Sequence, residues 1–151
     1  MVMRYYSYDE FLQDVKSLIK RIDEDFDAIV AISRGGLTLG HFLGEYFDIR
    51  AVYTINAIGY EGQKKLACVT LANTPDLSCH KRVLVVDEIV DSGDTLQQVM
   101  DELKSKFPDI IYKSAALFYK PSARYRPDFF VQYADEWIDF FWARDLHDTH
   151  D

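Results

Sequence analysis

Two stretches of this chain pass from a short apolar segment through a polar turn into a helical pattern, and this order constrains the fold most strongly. Residues 28–32 are apolar, residues 33–36 form a glycine turn, and apolar residues then recur at helical spacing. Residues 83–86 are also apolar, residues 87–95 combine four acids and small polar residues with the apolar pair 89–90, and residues 95–107 show the helical period. Strands that alternate with helices predict an α/β fold with a mainly parallel central sheet flanked by helices. Both turns should lie at carboxyl ends of strands, where such sheets bind ligands.

The other segments fit the same architecture. Ser7 and Glu10 have the spacing of a capping box, and the apolar period that follows predicts a helix over residues 8–22. The remaining strands are predicted at residues 50–58, 68–71, 114–119 and 129–133. Glycines and lysines between the first two of these strands predict a hairpin or flap at about residues 57–72. We expect a single domain over residues 1–151, with its core at about 8–120.

Composition excludes several classes of function. A net charge of −8 without a cluster of Lys or Arg argues against a nucleic-acid groove, which depends on clustered cations. Apolar runs no longer than a strand and a polar N-terminus argue against a membrane span or a signal peptide, so we expect a cytoplasmic protein. Cys68 and Cys79 have no metal-binding spacing and are predicted to be free thiols.

Three acids follow the apolar run at residues 83–86. Asp87 and Glu88 would be costly to bury without partners, so they should meet solvent, hydroxyl groups or a metal ion. Adjacent carboxylates suit the two hydroxyls of a ribose and, through water, a hard cation such as Mg²⁺. Asp91 would face whatever lies above the sugar. The alternative is an exposed acidic turn with no ligand.

Both polar turns are candidate anion sites. Ser92 and Thr95 stand at a predicted helix start, where unpaired N–H groups and hydroxyls suit phosphate oxygens. A plain helix cap is the alternative for this turn. The glycines of the turn at residues 33–36 let backbone N–H groups approach a second phosphate, and Arg34 adds a fork of donors.

Several motifs together resemble those of one enzyme family. The stretch VLVVDEIVDSGDT resembles the 5-phosphoribosyl-1-diphosphate (PRPP) motif of type I phosphoribosyltransferases. AISRGGL is similar to the pyrophosphate loop of the family's bacterial xanthine-guanine branch. LFYKPSAR and ADEWIDFFW resemble the purine-binding strand and the C-terminal hood of that branch, the hood spanning about residues 121–145. The chain departs from the family pattern with Glu88 as the second acid and with Phe141 where relatives tend to have Pro.

The resemblance implies a role for each matching residue. Asp87 and Glu88 would hold the ribose of PRPP and its Mg²⁺ shell, and Asp91 would manage the proton on the purine N7. The 5′-phosphate would be enclosed by Asp91, Ser92, Gly93, Asp94 and Thr95. The pyrophosphate would be bound by Ser33, Arg34, Gly35 and Gly36, with a non-proline cis peptide between Ser33 and Arg34. The purine would be held by Lys120, Trp137, Ile138 and Asp139, with Tyr60, Lys64 and Lys65 in the closing flap.

The implied activity is purine salvage. Such an enzyme joins xanthine, guanine or hypoxanthine to PRPP, giving a nucleoside 5′-monophosphate and pyrophosphate, with Mg²⁺ as the cofactor and a homodimer or homotetramer as the assembly. Two alternatives stay open at this point. One is a catalytically inactive regulator that binds PRPP or a nucleotide, and the other is a phosphoribosyltransferase for another base. Lys120 favours a 6-oxo group over a 6-amino group, because an ammonium is a donor only.

Overall fold

The computed structural model describes residues 3–59 and 69–147. In this part of the chain eight strands and four helices follow one another. The strands are β1 (Met3–Tyr6), β2 (Ala28–Ser33), β3 (Val52–Gly59), β4 (Val69–Ala72), β5 (Arg82–Val90), β6 (Ile111–Tyr119), β7 (Phe129–Tyr133) and β8 (Trp137–Phe140). The helices are α1 (Tyr8–Arg21), α2 (Leu37–Phe47), α3 (Asp94–Lys106) and α4 (Phe141–His147).

The central sheet has six strands in the order β4-β3-β2-β5-β6-β7. All neighbouring strands are parallel except β3 and β4, which pair antiparallel from Asn56 opposite Ala72 to Gly59 opposite Val69. The predicted α/β class with a mainly parallel sheet is therefore confirmed. The hairpin predicted for the flap is present at its described ends, while residues 60–68, including Tyr60, Lys64 and Lys65, lie outside the described residues.

Helices cover both faces of this sheet, and alternate residues of β5 supply the two cores. Leu84 and Val86 point to one face and pack with buried residues of α1 and α2. Val83 and Val85 point to the other face and pack against the apolar side of α3. A strand buried on both faces needs a run of apolar residues without polar alternation, and the sequence has one here.

Local signals explain where the helices begin and end. Ser7 and Glu10 form the predicted capping box at the start of α1, with Glu10 N donating to Ser7 Oγ at 3.1 Å and Ser7 N donating to Glu10 Oε2 at 3.0 Å. Helix α2 ends at Asp48, whose φ of 54° is left-handed. Helix α3 begins at Asp94, one residue before the predicted start.

Two features of the fold differ from the sequence prediction. Strand β5 continues to Val90, so Asp87 and Glu88 lie within the strand and not after it. Strand β1 was not predicted; it pairs in parallel with β8, with Met3 opposite Trp137, and the two form a separate small sheet.

Cys79 is exposed and free as predicted, and Cys68 lies outside the described residues.

Candidate active site

The carboxyl ends of three neighbouring parallel strands meet at one edge of the central sheet. Strand β2 ends at Ser33, β5 at Val90 and β6 at Tyr119. Lys120 N donates to Val90 O at 2.9 Å, so the chain leaving β6 stays beside the end of β5. The glycine turn after β2 and the acidic turn after β5 therefore lie at this edge, as the alternation of strands and helices predicts.

Asp87 and Glu88 occupy the last part of β5. Asp87 is 8% exposed, and its Oδ1 accepts a hydrogen bond from Glu88 N at 2.9 Å. Burial raises the pKa of Asp87 well above its usual range, and the neighbouring charge of Glu88 raises it further. Burial also raises the pKa of Glu88. Two desolvated carboxyl groups side by side favour binding of a proton or of a cation.

The glycine turn after β2 packs directly against this pair. A Cβ placed on Gly35 would lie 1.2 Å from Glu88 Oε2, and one on Gly36 would lie 2.6 Å from Val86 O. A Cβ on Gly36 would meet backbone, so only glycine fits there, whereas a Cβ on Gly35 would meet the end of the Glu88 side chain. Both contacts place the turn's backbone beside the acids. The predicted cis peptide between Ser33 and Arg34 is present. Arg34 is exposed at the edge.

The acidic turn after β5 leads into α3 through a left-handed glycine. Gly93 has φ of 89° and is the N-cap residue, so the cap is Gly93 and not Ser92. Ser92 Oγ accepts a hydrogen bond from Asp94 N at 3.1 Å and so fixes the turn. A cavity of about 220 Å³ opens here, lined by residues 87–93 with Thr95 and Leu96. The turn thus surrounds a space next to a helix start, where an anion is favoured.

Lys120 directly follows β6 and lies beside the end of β5. Its Nζ is 3.4 Å from Asp91 Oδ1, and both side chains are more than half exposed. The structure therefore brings together two predicted site residues from different loops. An ammonium donor next to a carboxylate acceptor can bind a heterocycle that offers an oxygen beside a ring nitrogen.

The hood residues are placed differently from one another. Trp137 is 57% exposed, whereas Ile138 is 7% exposed and packs into the core. Asp139 accepts a hydrogen bond from Arg144 Nη1 at 2.7 Å. Of these predicted purine-binding side chains, Trp137 offers a flat exposed surface, while the side chain of Ile138 is committed to the core.

Two further residues contact the predicted site, and the residue-by-residue prediction missed both. Ser33 Oγ lies 2.6 Å from Asn56 Oδ1, which ties the turn after β2 to β3. Arg124 Nη2 lies 2.7 Å from Asp94 Oδ1, and Arg124 N donates to Ser92 O at 2.8 Å. Lys120 and Arg124 are four residues apart, and their partners Asp91 and Asp94 are three residues apart. Only the folded chain shows that Lys120 pairs with Asp91 and Arg124 with Asp94.

Neither a metal cluster nor a membrane-spanning helix occurs in the described ranges. Residues 3–59 and 69–147 contain no group of three or more His, Cys, Asp or Glu side chains arranged to hold a metal ion. Over the same ranges, no helix is both long and apolar enough to cross a membrane. Asp87 and Glu88 could hold a metal ion at this edge together with water and oxygens of a bound molecule.

Comparison with known proteins defines the class. The model of the family described as "Phosphoribosyl transferase domain" matches residues 2–148, so the chain belongs to the phosphoribosyltransferase family. This confirms the resemblance to type I phosphoribosyltransferases given by the sequence motifs.

Within this family, the chain is similar to several purine phosphoribosyltransferases. The structure of a Helicobacter pylori xanthine-guanine-hypoxanthine phosphoribosyltransferase is 44% identical, with a TM-score of 0.88 and coverage of 96% of each chain. A purine phosphoribosyltransferase from Pyrococcus horikoshii is 29% identical, with a TM-score of 0.79 and coverage of 94% of each chain. A xanthine-guanine phosphoribosyltransferase from Roseobacter denitrificans is 30% identical, covering 90% of this chain and 82% of its own.

Proposed function

We propose that this protein is a purine salvage enzyme, which transfers the 5-phosphoribosyl group of PRPP to a 6-oxopurine and releases pyrophosphate. The observation that carries the proposal is the contact between Lys120 and Asp91 at the open side of the turn that follows the buried acids. It supports the proposal because an ammonium donor and a carboxylate acceptor lie on the same sheet edge as the buried acids and the start of α3. The names of the Helicobacter and Roseobacter relatives support a purine as the acceptor.

PRPP would bind along the edge from the turn after β5 to the turn after β2. The 5′-phosphate would enter the space enclosed by residues 91–95, where the start of α3 presents N–H groups. Asp87 and Glu88 would accept hydrogen bonds from the ribose hydroxyls. The pyrophosphate would meet Ser33, Gly35, Gly36 and the guanidinium of Arg34, in the turn whose two glycines lie against those acids.

The carboxyl pair fits a divalent cation. Burial raises the pKa of both acids, and the neighbouring charge of Glu88 raises the pKa of Asp87 further, so a positive charge would stabilise the ionised pair. Asp87 and Glu88 would hold Mg²⁺ through water, together with oxygens of PRPP. The bound cation would supply positive charge for the departing diphosphate. Cation binding is thus expected only when PRPP is also present.

The reaction breaks the bond between ribose C1 and the diphosphate oxygen and forms a bond from C1 to a purine nitrogen. Asp91 would accept the proton at the purine N7, and Lys120 would donate to the 6-oxo group. Trp137, more than half exposed, would stack on the purine, and Asp139 would lie near its 2-substituent. The work of the protein is to hold the two reactants in line and to stabilise the leaving charge with Arg34 and backbone N–H groups.

The proposal is tested by measuring pyrophosphate release from PRPP with a panel of bases. Guanine, xanthine and hypoxanthine should each support turnover in the presence of Mg²⁺, while adenine and uracil should not. Turnover with adenine or uracil alone would assign another base. Binding of PRPP without release for any base would favour the inactive nucleotide-binding regulator. The homodimer or homotetramer stays a prediction, which light scattering of the purified protein checks.

A further inference from the structure

The turn proposed to bind the 5′-phosphate contains no cation of its own. Residues 87–95 include four acids and neither Lys nor Arg. Asp94 is the first residue of α3, so it stands next to the helix start where the phosphate dianion would bind, although its side chain is not among those that line the cavity there. Two anions at one helix start repel each other, and the repulsion must be offset by a cation from another part of the chain.

The loop between β6 and β7 brings two cations to this turn. Lys120 Nζ lies 3.4 Å from Asp91 Oδ1, and Arg124 Nη2 lies 2.7 Å from Asp94 Oδ1. The two pairs bracket the turn, one at its beginning and one at the helix start. Lys120 has a role at the base in the proposed reaction, whereas Arg124 stands at the phosphate end.

Backbone contacts hold Arg124 in this place. Arg124 N donates to Ser92 O at 2.8 Å, and Ala123 N donates to Lys120 O at 2.8 Å. A Cβ on Gly93 would lie 2.6 Å from Tyr125 N and 3.2 Å from Arg124 N, so the two loops are in direct contact. The backbone of Arg124 is thus held beside the turn by main-chain contacts, independently of its exposed ion pair.

We propose that Arg124 is a further recognition residue for the 5′-phosphate, and that its guanidinium is shared between Asp94 and the phosphate. This inference rests on the proposed function for the identity of the substrate. A guanidinium has five N–H donors in a planar fork, so the bond to Asp94 leaves donors for phosphate oxygens. With 78% of its side chain exposed, Arg124 is accessible to an incoming ligand.

The test compares four proteins: the wild type, Arg124→Ala, Arg124→Lys and the matched control Arg126→Ala. Arg126 is an exposed arginine of the same loop, and its guanidinium lies over the Phe130 ring at 5.4 Å. Arg124→Ala should raise the KM for PRPP by about tenfold or more, because a charge-assisted bond is lost. Its kcat and its KM for guanine should stay within about threefold of the wild type, because the phosphate is remote from the reacting bond.

Arg124→Lys should recover part of the loss, since a lysine keeps the charge but not the fork. Arg126→Ala should keep the wild-type KM for PRPP. A purely structural role for Arg124 would instead lower the urea midpoint of Arg124→Ala and reduce kcat, and that pattern would overturn the inference. So would an unchanged KM for PRPP.

Calorimetric binding of ribose 5-phosphate separates this inference from the proposed function. The sugar phosphate carries the group that Arg124 would recognise but needs no purine and no turnover. Weaker binding to Arg124→Ala than to the wild type supports the inference even if no base is a substrate. Equal binding to both proteins, or binding to neither, overturns the inference even if purine transfer is confirmed.

Discussion

Acidic side chains at the amino ends and at the carboxyl ends of the parallel strands, here called the amino edge and the carboxyl edge of the central sheet, have opposite environments. At the amino edge, Asp27 accepts hydrogen bonds from Lys81 N at 2.9 Å and Arg82 N at 3.1 Å, and it lies 3.7 Å from His80 Nδ1. At the carboxyl edge, Asp87 is buried beside Glu88, and its pKa is raised. An aspartate thus accepts backbone hydrogen bonds at the amino edge, whereas at the carboxyl edge an aspartate is buried where its charged form is disfavoured.

Burial of one carboxylate beside another lowers the stability of the folded protein, and the fold itself does not require such a pair. Among the contacts described above, the amino edge has no such pair. There Asp27 lies beside His80, whose Nε2 is 2.8 Å from Tyr53 Oη. The contrast supports the proposal that the acids of β5 serve a ligand that brings positive charge. Substitutions at each edge test this difference between the two groups of acids.

Asp91→Asn should have the largest effect. It keeps the shape of the side chain and removes proton acceptance, so kcat should fall by about 10²-fold or more while PRPP affinity stays nearly constant. Steady-state kinetics at saturating PRPP and guanine measure this change. Asp101→Asn, an exposed acid of α3, is the matched control. Unchanged turnover of Asp91→Asn would remove Asp91 from the mechanism.

Lys120→Ala should weaken binding of 6-oxopurines by about 1–3 kcal/mol, because the 6-oxo acceptor loses its donor. Dissociation constants for guanine and hypoxanthine in the presence of pyrophosphate and Mg²⁺ report the loss. Lys106→Ala, which removes an exposed lysine paired with Glu102 on α3, should leave both constants unchanged. If both bases bind Lys120→Ala as tightly as the wild type, the role of Lys120 is wrong.

Asp87→Asn should stabilise the ligand-free protein by about 1 kcal/mol or more at neutral pH. The raised pKa means that the folded state keeps the Asp87 proton to a higher pH than the unfolded chain. The wild type therefore loses stability as the pH rises from the pKa of Asp87 in the unfolded chain through its pKa in the folded protein. At acid pH, where Asp87 is protonated in both states, Asp87→Asn should be no more stable than the wild type. Urea unfolding at several pH values measures both. A less stable Asp87→Asn protein at neutral pH would contradict the electrostatic argument.

Asp27→Ala should show the opposite sign, with a loss of roughly 1 kcal/mol in the free energy of unfolding. Two backbone donors lose their acceptor, and water compensates in part because the Asp27 side chain is 45% exposed. Transferase activity should be unaffected, since this residue lies at the far edge of the sheet. Asp23→Ala is the control for removing an exposed acid nearby. A gain in stability for Asp27→Ala would remove the contrast between the edges.

Much of this architecture could be predicted because its signals are local. The capping box at Ser7 and the apolar run of β5 depend on residues close in sequence, and both were found. The extension of β5 through Asp87 was missed because charged residues usually end a buried strand, whereas here the site keeps them in it. The acids themselves were identified by their spacing, which the family motif shares.

The missed features depend on distant parts of the chain. Strand β1 is short and exposed at Met3, and it becomes a strand only through pairing with β8. The contact of Arg124 with Asp94 requires the loop after β6 to pack on the turn after β5, which no local pattern encodes. The burial of Ile138 likewise follows from packing of the hood on the core.

The most direct measurement is the dissociation constant of PRPP, by calorimetry, for the wild type and Asp87→Asn, each with Mg²⁺ and with a chelator. The central claim is that the buried acids of β5 serve PRPP and its cation. It predicts that the wild type binds PRPP at least about tenfold more tightly with Mg²⁺ than without, and that Asp87→Asn loses most of this difference. Binding that is independent of Mg²⁺, or equally tight in both proteins, would contradict it.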